Sequence, residues 1–193
     1  MQRQQQPLFV LGRTKRHFGT TRTIVAPPPP LVIHKKEESP LQMGKMEWGK
    51  HVWMLIHSLT VLVNPNEFPR IRVELLNLLY LICTNLPCPI CSDHAKVYLK
   101  GINFNAIQTK EQFQNLFHQF HNYVSSGKQL PLFPQEKLVE TYKTAILSNM
   151  MTNFIIAFRD KTYNPRHISD QHIRGRAMKM FIDWLNKNMS CFV

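Results

Sequence analysis

Apolar residues recur at helical spacing from Glu47 onward. The segment 109–126 is the clearest case, because its apolar residues fall at steps of three and four and so form one face of a helix. That face consists of Phe113, Leu116, Phe117, Phe120 and Val124. The same spacing predicts helices at 46–63, 69–85, 88–100, 109–126, 134–157 and 169–188. No segment alternates like a strand and no internal repeat is visible, so the sequence predicts an all-α fold, a compact helical bundle.

Local signals mark several helix ends. Pro69 and Pro134 suit first-turn positions, where the missing N–H of proline costs no hydrogen bond. Thr109 and Gln112 fit a capping box, in which the threonine side chain accepts from the backbone N–H three residues later. Gly127 fits a helix stop. These signals support the helical assignment independently of hydrophobic spacing.

The first 43 residues differ from the rest of the chain. They are rich in glutamine at 2–6, and the four consecutive prolines at 27–30 favour polyproline II over a helix or central strand. The net charge is +12, and residues 1–36 contain no acidic residue, so much of the excess lies there. We expect a loosely ordered basic tail, either simply solvated or serving as a targeting or docking arm. The predicted units are this tail (1–43), a core (44–133) and a C-terminal helical extension (134–193).

Composition narrows the classes of function. The longest apolar runs, such as 75–83, are much shorter than the roughly 18 to 20 residues that span a bilayer. The N-terminus lacks the apolar core of a secretory signal, so we expect a soluble protein. The aromatic residues follow core spacing and are not interleaved with Lys and Arg, so we do not expect nucleic-acid binding.

The chemistry begins at Cys88 and Cys91, which form a Cys-Pro-Ile-Cys motif. If Pro89 opens a helix, Cys88 lies at the N-terminus, where free N–H groups and the helix dipole stabilise a thiolate. Such a thiolate attacks and leaves readily in disulfide exchange. The alternative is a non-enzymatic, basic module that binds zinc through Cys83, Cys88, Cys91 and His94, although Cys83 lies in an apolar run that is typical of a core cysteine.

Two further motifs place polar rings on predicted helices. Gly49, Trp53 and His57 follow at intervals of four and share one face of the first helix, an arrangement that suits a flat heteroaromatic ligand. His121 interrupts the apolar face of the fourth helix, and Asn122 beside it can both donate and accept. For each motif alone, a tryptophan in the core or a buried histidine with a hydrogen-bond partner explains the residues equally well.

The order GxxxWxxxH, CxxC, HNxV, with some thirty residues between successive motifs, resembles the Erv/ALR family of FAD-dependent sulfhydryl oxidases over about residues 45–133. The Cys-Pro-Ile-Cys form and its flanks look closer to members from large DNA viruses than to cellular ones. A viral enzyme would work in the host cytoplasm or virion, and a cellular one in the mitochondrial intermembrane space.

The resemblance implies a four-helix bundle around the isoalloxazine ring of FAD, with a short fifth helix beside it, and usually a homodimer. It implies that Cys91 is the thiol next to the flavin and that Cys88 exchanges with substrate. Electrons would pass from protein dithiols to the Cys88–Cys91 disulfide, then to FAD and to oxygen, releasing hydrogen peroxide. The cofactor-binding residues would be Gly49, Lys50, Trp53, His57, His121, Asn122, Val124, Ser125 and Lys128.

The sequence departs from the family pattern at several positions. Lys50 replaces an arginine, Ser125 replaces an asparagine, and Lys128 stands one step beyond the expected basic position. Many relatives carry a second, shuttling cysteine pair in a flexible tail, and Cys83 and Cys191 do not form such a pair by position. We therefore expect either direct oxidation of substrates or a shuttle supplied by a partner. The extension 134–193 lies outside the resemblance, and its apolar faces predict extra packing or a dimer surface.

Overall fold

The computed structural model describes residues 47–159 and 168–192. Within these ranges the chain forms seven α-helices and two short 3₁₀ helices, which confirms the predicted all-α fold. The α-helices are α1 (Glu47–Leu62), α2 (Phe68–Cys83), α3 (Pro89–Lys100), α4 (Lys110–Gly127), α5 (Glu136–Tyr142), α6 (Leu147–Phe158) and α7 (Ile168–Lys187). The predicted tail at 1–43 lies outside the described residues.

The helix ends follow local chemistry. In α4, Thr109 Oγ1 accepts from the N–H of Gln112 at 3.3 Å, and Gln112 Oε1 accepts from the N–H of Thr109 at 3.1 Å, so the predicted capping box is confirmed. Pro69 stands in the first turn of α2, as predicted. Helix α4 ends at Gly127, but the left-handed residue after it is Gln129, with φ of 56°. The chain therefore turns two residues later than a C-terminal glycine predicts.

The predicted single helix at 134–157 is wrong. The chain forms α5 and α6 instead, with Ile146 in an extended conformation immediately before α6. The break lets α6 pack along α1 and bury Phe154 and Phe158, while α5 separately buries Leu138. A straight helix could not bring both apolar faces onto the core. No glycine or proline marks the break, so hydrophobic spacing alone predicted one continuous helix.

Helix α1 is central, with α4, α5 and α6 packed against it, while α2 contacts α3 and α7. One continuous core includes Leu59 of α1, Phe68 of α2 and Phe117 of α4, each fully buried. Phe158 of α6 and Phe181 of α7 belong to the same core, so the helices after residue 134 pack as part of the bundle. No helix within the described ranges has the length and apolar character to cross a membrane.

Candidate functional site

The Cys88–Cys91 pair stands at the N-terminus of α3. Pro89 opens the helix and Cys88 is its N-cap residue, with extended backbone, as the sequence predicted. Cys88 Sγ accepts from the backbone N–H of Cys91 at 3.3 Å. All four cysteines of the chain are free thiols in this structure, so the pair is in its dithiol form. The helix terminus thus presents a sulfur to its unsatisfied N–H groups, which favours a negative charge on that sulfur.

The two thiols of the pair have opposite acidities. The Cys91 thiol donates a hydrogen bond to Cys88 Sγ, and this bond lowers the pKa of Cys88 most. Burial raises that pKa, but backbone N–H groups and the charge of Lys128 lower it further, so that it falls to about 6. The pKa of Cys91 is raised, because its thiol is held as the donor to Cys88 and is partly desolvated. Cys88 is therefore the thiolate of the pair, and Cys91 is its protonated partner.

Cys91 lines a cavity of about 190 Å³ between α1, α3 and α4, here called the Cys91 cavity. Most of the residues predicted to bind a cofactor meet there. These are Gly49, Lys50, Trp53, His121, Val124, Ser125 and Lys128. A Cβ placed on Gly49 would meet no atom within 4 Å, so open space extends to the backbone of α1 at this point. The thiols of Cys83 and Cys91, several flat side-chain rings and two lysines thus surround one open volume.

The flat walls of the cavity come from two helices. Trp53 of α1 stacks on His121 of α4, with ring centroids 4.4 Å apart and planes 17° from parallel. Phe120 meets the edge of Trp53 at 5.3 Å. Because the rings support one another, Trp53 and His121 present a fixed planar surface.

His57 lies behind this surface and does not line the Cys91 cavity. It is fully buried, and its Nε2 is 2.8 Å from Nδ1 of His121. Burial, followed by the charges that His121 and His118 would carry, lowers the pKa of His57 to about 3. Burial also lowers the pKa of His121 to about 4, with a smaller contribution from His118. Both rings are therefore neutral at pH 7, and the N–H of one ring donates a hydrogen bond to the bare nitrogen of the other.

Asn122 also lies outside the cavity lining. Its side-chain carbonyl accepts from the N–H of Phe133 at 2.8 Å, and its amide donates to the carbonyl of Phe133 at 3.0 Å. His118 Nε2 lies 2.7 Å from the same carbonyl. Phe133 in turn stacks on His57 and His121, with centroids 5.7 and 6.0 Å apart. Asn122 therefore fastens the segment after α4 against the histidine pair.

The predicted zinc alternative is not supported. Within 47–159 and 168–192, no group of three or more His, Cys, Asp or Glu residues is placed to hold a metal ion. Cys83 is only 2 % exposed at the end of α2, and burial raises its pKa to about 12, as expected of a thiol in the core. Cys191 is buried elsewhere, where its sulfur accepts from Arg70 at 3.0 Å.

A second and larger cavity, of about 510 Å³, adjoins the first and is here called the Tyr142 cavity. The two share Lys50, Trp53 and His121. Its remaining walls include residues that the sequence analysis did not single out as ligand-binding, among them Tyr142 and Met150. Their apolar spacing is the same as that of core residues, so the sequence contains no signal that separates a cavity wall from packing.

The comparisons with known proteins agree with this geometry. The sequence model of the Erv1 / Alr family matches residues 50–143. The FAD-linked sulfhydryl oxidase ERV1 of Oryza sativa subsp. japonica is 29 % identical over 106 residues, covering 54 % of this chain and 53 % of the rice protein. The FAD-linked sulfhydryl oxidase of African swine fever virus (isolate Tick/Malawi/Lil 20-1/1983) is 24 % identical over 116 residues, covering 58 % of this chain and 97 % of the viral protein.

Protein 347L of Invertebrate iridescent virus 6 is 29 % identical over 94 residues, covering 46 % of this chain and 85 % of the viral protein. The chain thus spans about half the length of the rice relative and most of the length of these two viral relatives. No solved structure matches it. Residues 50–143, which contain the Cys88–Cys91 pair and most of the lining of the Cys91 cavity, match the Erv1 / Alr family.

Proposed function

We propose that the protein is an FAD-dependent sulfhydryl oxidase that forms disulfide bonds in protein dithiols through Cys88 and Cys91. One observation carries the proposal: Cys91 opens into a cavity walled by Trp53 and His121, while its acidic partner Cys88 lies outside that lining. A redox pair needs one sulfur for the substrate and one for the electron acceptor, and this arrangement separates the two. The relatives named FAD-linked sulfhydryl oxidases support the same reading.

The residues present fit a flavin. The open space at Gly49 admits a flat ring close to the backbone of α1. The outer face of the Trp53–His121 stack would pack on that ring, and Val124 would contact it without competing polar groups. When bound, FAD would supply the two-electron acceptor that restores the disulfide, with oxygen as the final acceptor and hydrogen peroxide as the product.

The cations and polar groups would hold the rest of the cofactor. Lys50 lines both cavities. Its ammonium is therefore available to a phosphate group of a ligand that extends from one cavity into the other. Ser125 and Lys128 line the Cys91 cavity beside the thiol. His57 and Asn122 would not contact the cofactor. His57 bonds His121, and Asn122 holds Phe133 against the two histidines. We propose that both keep the binding surface in place.

The thiol chemistry of the pair follows from its two acidities. In the oxidised enzyme, a substrate thiolate attacks Cys88 Sγ, the bond to Cys91 breaks, and a mixed disulfide forms at Cys88. The second substrate thiol then attacks the substrate sulfur and displaces Cys88. Two substrate thiols lose two electrons and two protons, and the Cys88–Cys91 disulfide gains the electrons. The low pKa of Cys88 makes it a good leaving group in the second step.

The purified protein tests the proposal. We expect it to carry bound flavin, visible by absorption and released on denaturation, and to consume oxygen with a dithiol while producing hydrogen peroxide. Metal analysis of the same sample addresses the zinc alternative. A protein that neither contains flavin nor binds added FAD, and that consumes no oxygen with dithiols, would contradict the proposal.

Two predictions from the sequence remain proposals. The homodimer implied by the family can be tested by light scattering of the purified chain. The division at residues 43 and 133 can be tested by limited proteolysis, although the shared core predicts that α6 and α7 resist cleavage together with α1 and α2.

A further inference from the structure

The helix turn that carries the reactive pair exposes apolar side chains. Ile90 stands between the two cysteines in the first turn of α3 and is 66 % exposed. Pro89, the residue before it, is also exposed. The residues of this turn, 89–92, carry no charge. A molecule that approaches Cys88 along α3 therefore meets apolar surface first.

A second apolar element borders the same pair. Leu130 lines the Cys91 cavity together with Cys91, yet it is 52 % exposed, so it lies at the edge of that cavity. The two residues after Leu130 are exposed as well, and the second of them is a leucine that is 59 % exposed. The apolar residues on the two sides of the pair are here called the Ile90 surface, which consists of Pro89, Ile90, Leu130, Pro131 and Leu132.

The segment that carries the two leucines is held at both ends by α4. The N–H of Leu130 donates to the carbonyl of Ser125 at 2.9 Å. The N–H of Phe133 donates to the side-chain carbonyl of Asn122 at 2.8 Å. Leu132 lies between these two bonds. Apolar side chains that are held exposed beside a reactive group are typical of a binding surface.

The proposed reaction determines what covers the Ile90 surface. A mixed disulfide at Cys88 brings the Cα atom of the substrate cysteine to about 4.4 to 6.8 Å from the Cα atom of Cys88. The residues next to that cysteine in a substrate polypeptide then lie over Ile90, which is two positions from Cys88. A small dithiol forms the same bond between sulfurs but has no neighbouring residues to place there.

We propose that the Ile90 surface binds the residues that flank the substrate cysteine, and that the preferred substrate is an unfolded polypeptide with an apolar side chain beside that cysteine. Cysteine and large apolar residues are mostly buried in folded proteins, so a chain that has not folded is the substrate that presents them together. This inference rests on the proposed function, because it assumes that Cys88 exchanges with the substrate. Ile90 and Leu132 thereby select the substrate and take no part in electron transfer.

Two reduced peptides with the same pair of cysteines form matched substrates for the test. One has leucine and the other has serine on both sides of the attacking cysteine. Oxygen consumption by the full-length, flavin-loaded protein is measured with each peptide and with dithiothreitol. We expect kcat/KM for the leucine peptide to be about fivefold higher than for the serine peptide, because leucine buries apolar area against the Ile90 surface. The difference should lie in KM, since this contact is equal in the ground state and the transition state.

A second measurement does not depend on flavin. In Cys91→Ser, the Cys88 thiol exchanges with the mixed disulfide of each peptide and glutathione, which forms the Cys88–peptide disulfide and releases glutathione. Mass spectrometry gives the equilibrium constant. It should favour the leucine peptide by about fivefold over the serine peptide.

Ile90→Gln is the main variant, because it removes the apolar side chain and keeps the backbone N–H that bonds Cys88. It should reduce the preference for the leucine peptide to less than about twofold and leave the rate with dithiothreitol within about twofold. Leu132→Gln, which lines neither cavity, should reduce the preference in part.

Ile156→Gln is the matched control. The same substitution is made on α6, at a side chain that is 67 % exposed and lines neither cavity. It should keep the full preference for the leucine peptide. Circular dichroism of every variant checks that the helices remain folded.

The outcomes separate the inference from the proposed function. If the unmodified protein oxidises both peptides equally well, or if the preference persists in both Ile90→Gln and Leu132→Gln, the inference is overturned while the proposed function stands. If Ile90→Gln slows dithiothreitol and both peptides alike, Ile90 acts on the cysteine pair itself and the inference is again overturned. If the unmodified protein oxidises none of the three dithiols, the proposed function fails.

Discussion

The four cysteines occupy two kinds of environment, and the contrast shows how the fold selects a reactive thiol. Cys88 is partly exposed at the start of α3, where the Cys91 thiol, backbone N–H groups and Lys128 lower its pKa to about 6. Cys83 is buried at the end of α2, where desolvation alone raises its pKa to about 12. The two residues are five positions apart in sequence, so local environment, not region of the chain, sets their acidity.

Cys191 belongs with Cys83 as a buried thiol, but its role in the fold is different. It is 1 % exposed, and its backbone carbonyl accepts from Asn64 at 2.8 Å. The neighbouring Phe192 pairs with Val63 in an isolated antiparallel bridge. Cys191 therefore lies where the segment after α7 is joined to the turn between α1 and α2.

The largest expected effect comes from removing either member of the reactive pair. Cys88→Ser or Cys91→Ser should lower dithiol-dependent oxygen consumption on the order of a thousandfold or more, because the other two thiols, Cys83 and Cys191, are buried. Cys191→Ala is the matched control and should retain activity within about twofold, since Arg70 keeps its hydrogen bonds to Glu67. Full activity in either pair variant would sink the catalytic assignment.

The next effect tests whether the open space near Cys91 is a flavin site. Gly49→Leu should extend a side chain into the Cys91 cavity and abolish retention of flavin on purification. Gly175→Leu is the control, because a Cβ on Gly175 also meets no atom within 4 Å and Gly175 lines neither cavity. Each substitution removes a glycine from a helix and should stabilise that helix by roughly 0.5 to 1 kcal/mol, measured by urea denaturation. A flavin content in Gly49→Leu equal to that in Gly175→Leu would place the cofactor elsewhere.

The sequence was sufficient to place Cys88 and Cys91 at the start of a helix and to predict most of the fold, because both rest on local rules. The first four helices and the last follow apolar spacing to within two residues at each end, and the capping box at Thr109 needs only two side chains. Cys88 and Pro89 specify a helix N-terminus within two positions. The break between α5 and α6 depends on how α6 packs along α1, which is a tertiary contact that no local signal contains.

The lining of the site was predictable only in part, for a related reason. Gly49, Trp53 and His121 could be grouped because the order of their motifs resembles a known family, although their spacing alone fitted a core equally well. Tyr142 and Met150 had neither signal, since an apolar side chain on a cavity wall has the same sequence pattern as one in a filled core. The hydrogen bond between His57 and His121 and the bond between Asn122 and Phe133 likewise depend on tertiary distances.

A smaller effect compares the two thiol environments directly. Alkylation of the reduced native protein at Cys88 should accelerate as pH rises through about 6, because the thiolate is the reacting form and its fraction grows with pH. Cys83 should stay unmodified from pH 5 to 9 until the protein is unfolded, as its pKa lies near 12 and its sulfur is inaccessible. Peptide mass spectrometry locates each label. Similar labelling rates at the two residues would contradict the distinction between them.

The smallest effect isolates the part of the Cys88 acidity that comes from Lys128. Its positive charge lowers the pKa of Cys88, so Lys128→Gln should move the midpoint of Cys88 alkylation to higher pH and reduce the rate at pH 6 about twofold. The backbone N–H of Lys128 caps α4 by bonding to the carbonyls of Val124 and Ser125, and glutamine retains that bond. The helix end should therefore survive the substitution.

Lys96→Gln is the matched control for this charge. Lys96 is exposed on α3 and pairs with Asp93 at 3.0 Å, so its loss should leave the midpoint where it is. Because Lys128 is also exposed, salt should screen its effect, and the difference between Lys128→Gln and the unmodified protein should shrink between about 0.01 and 1 M salt. An unchanged midpoint at low salt would mean that the Cys91 thiol and the backbone of α3 account for the acidity of Cys88 by themselves.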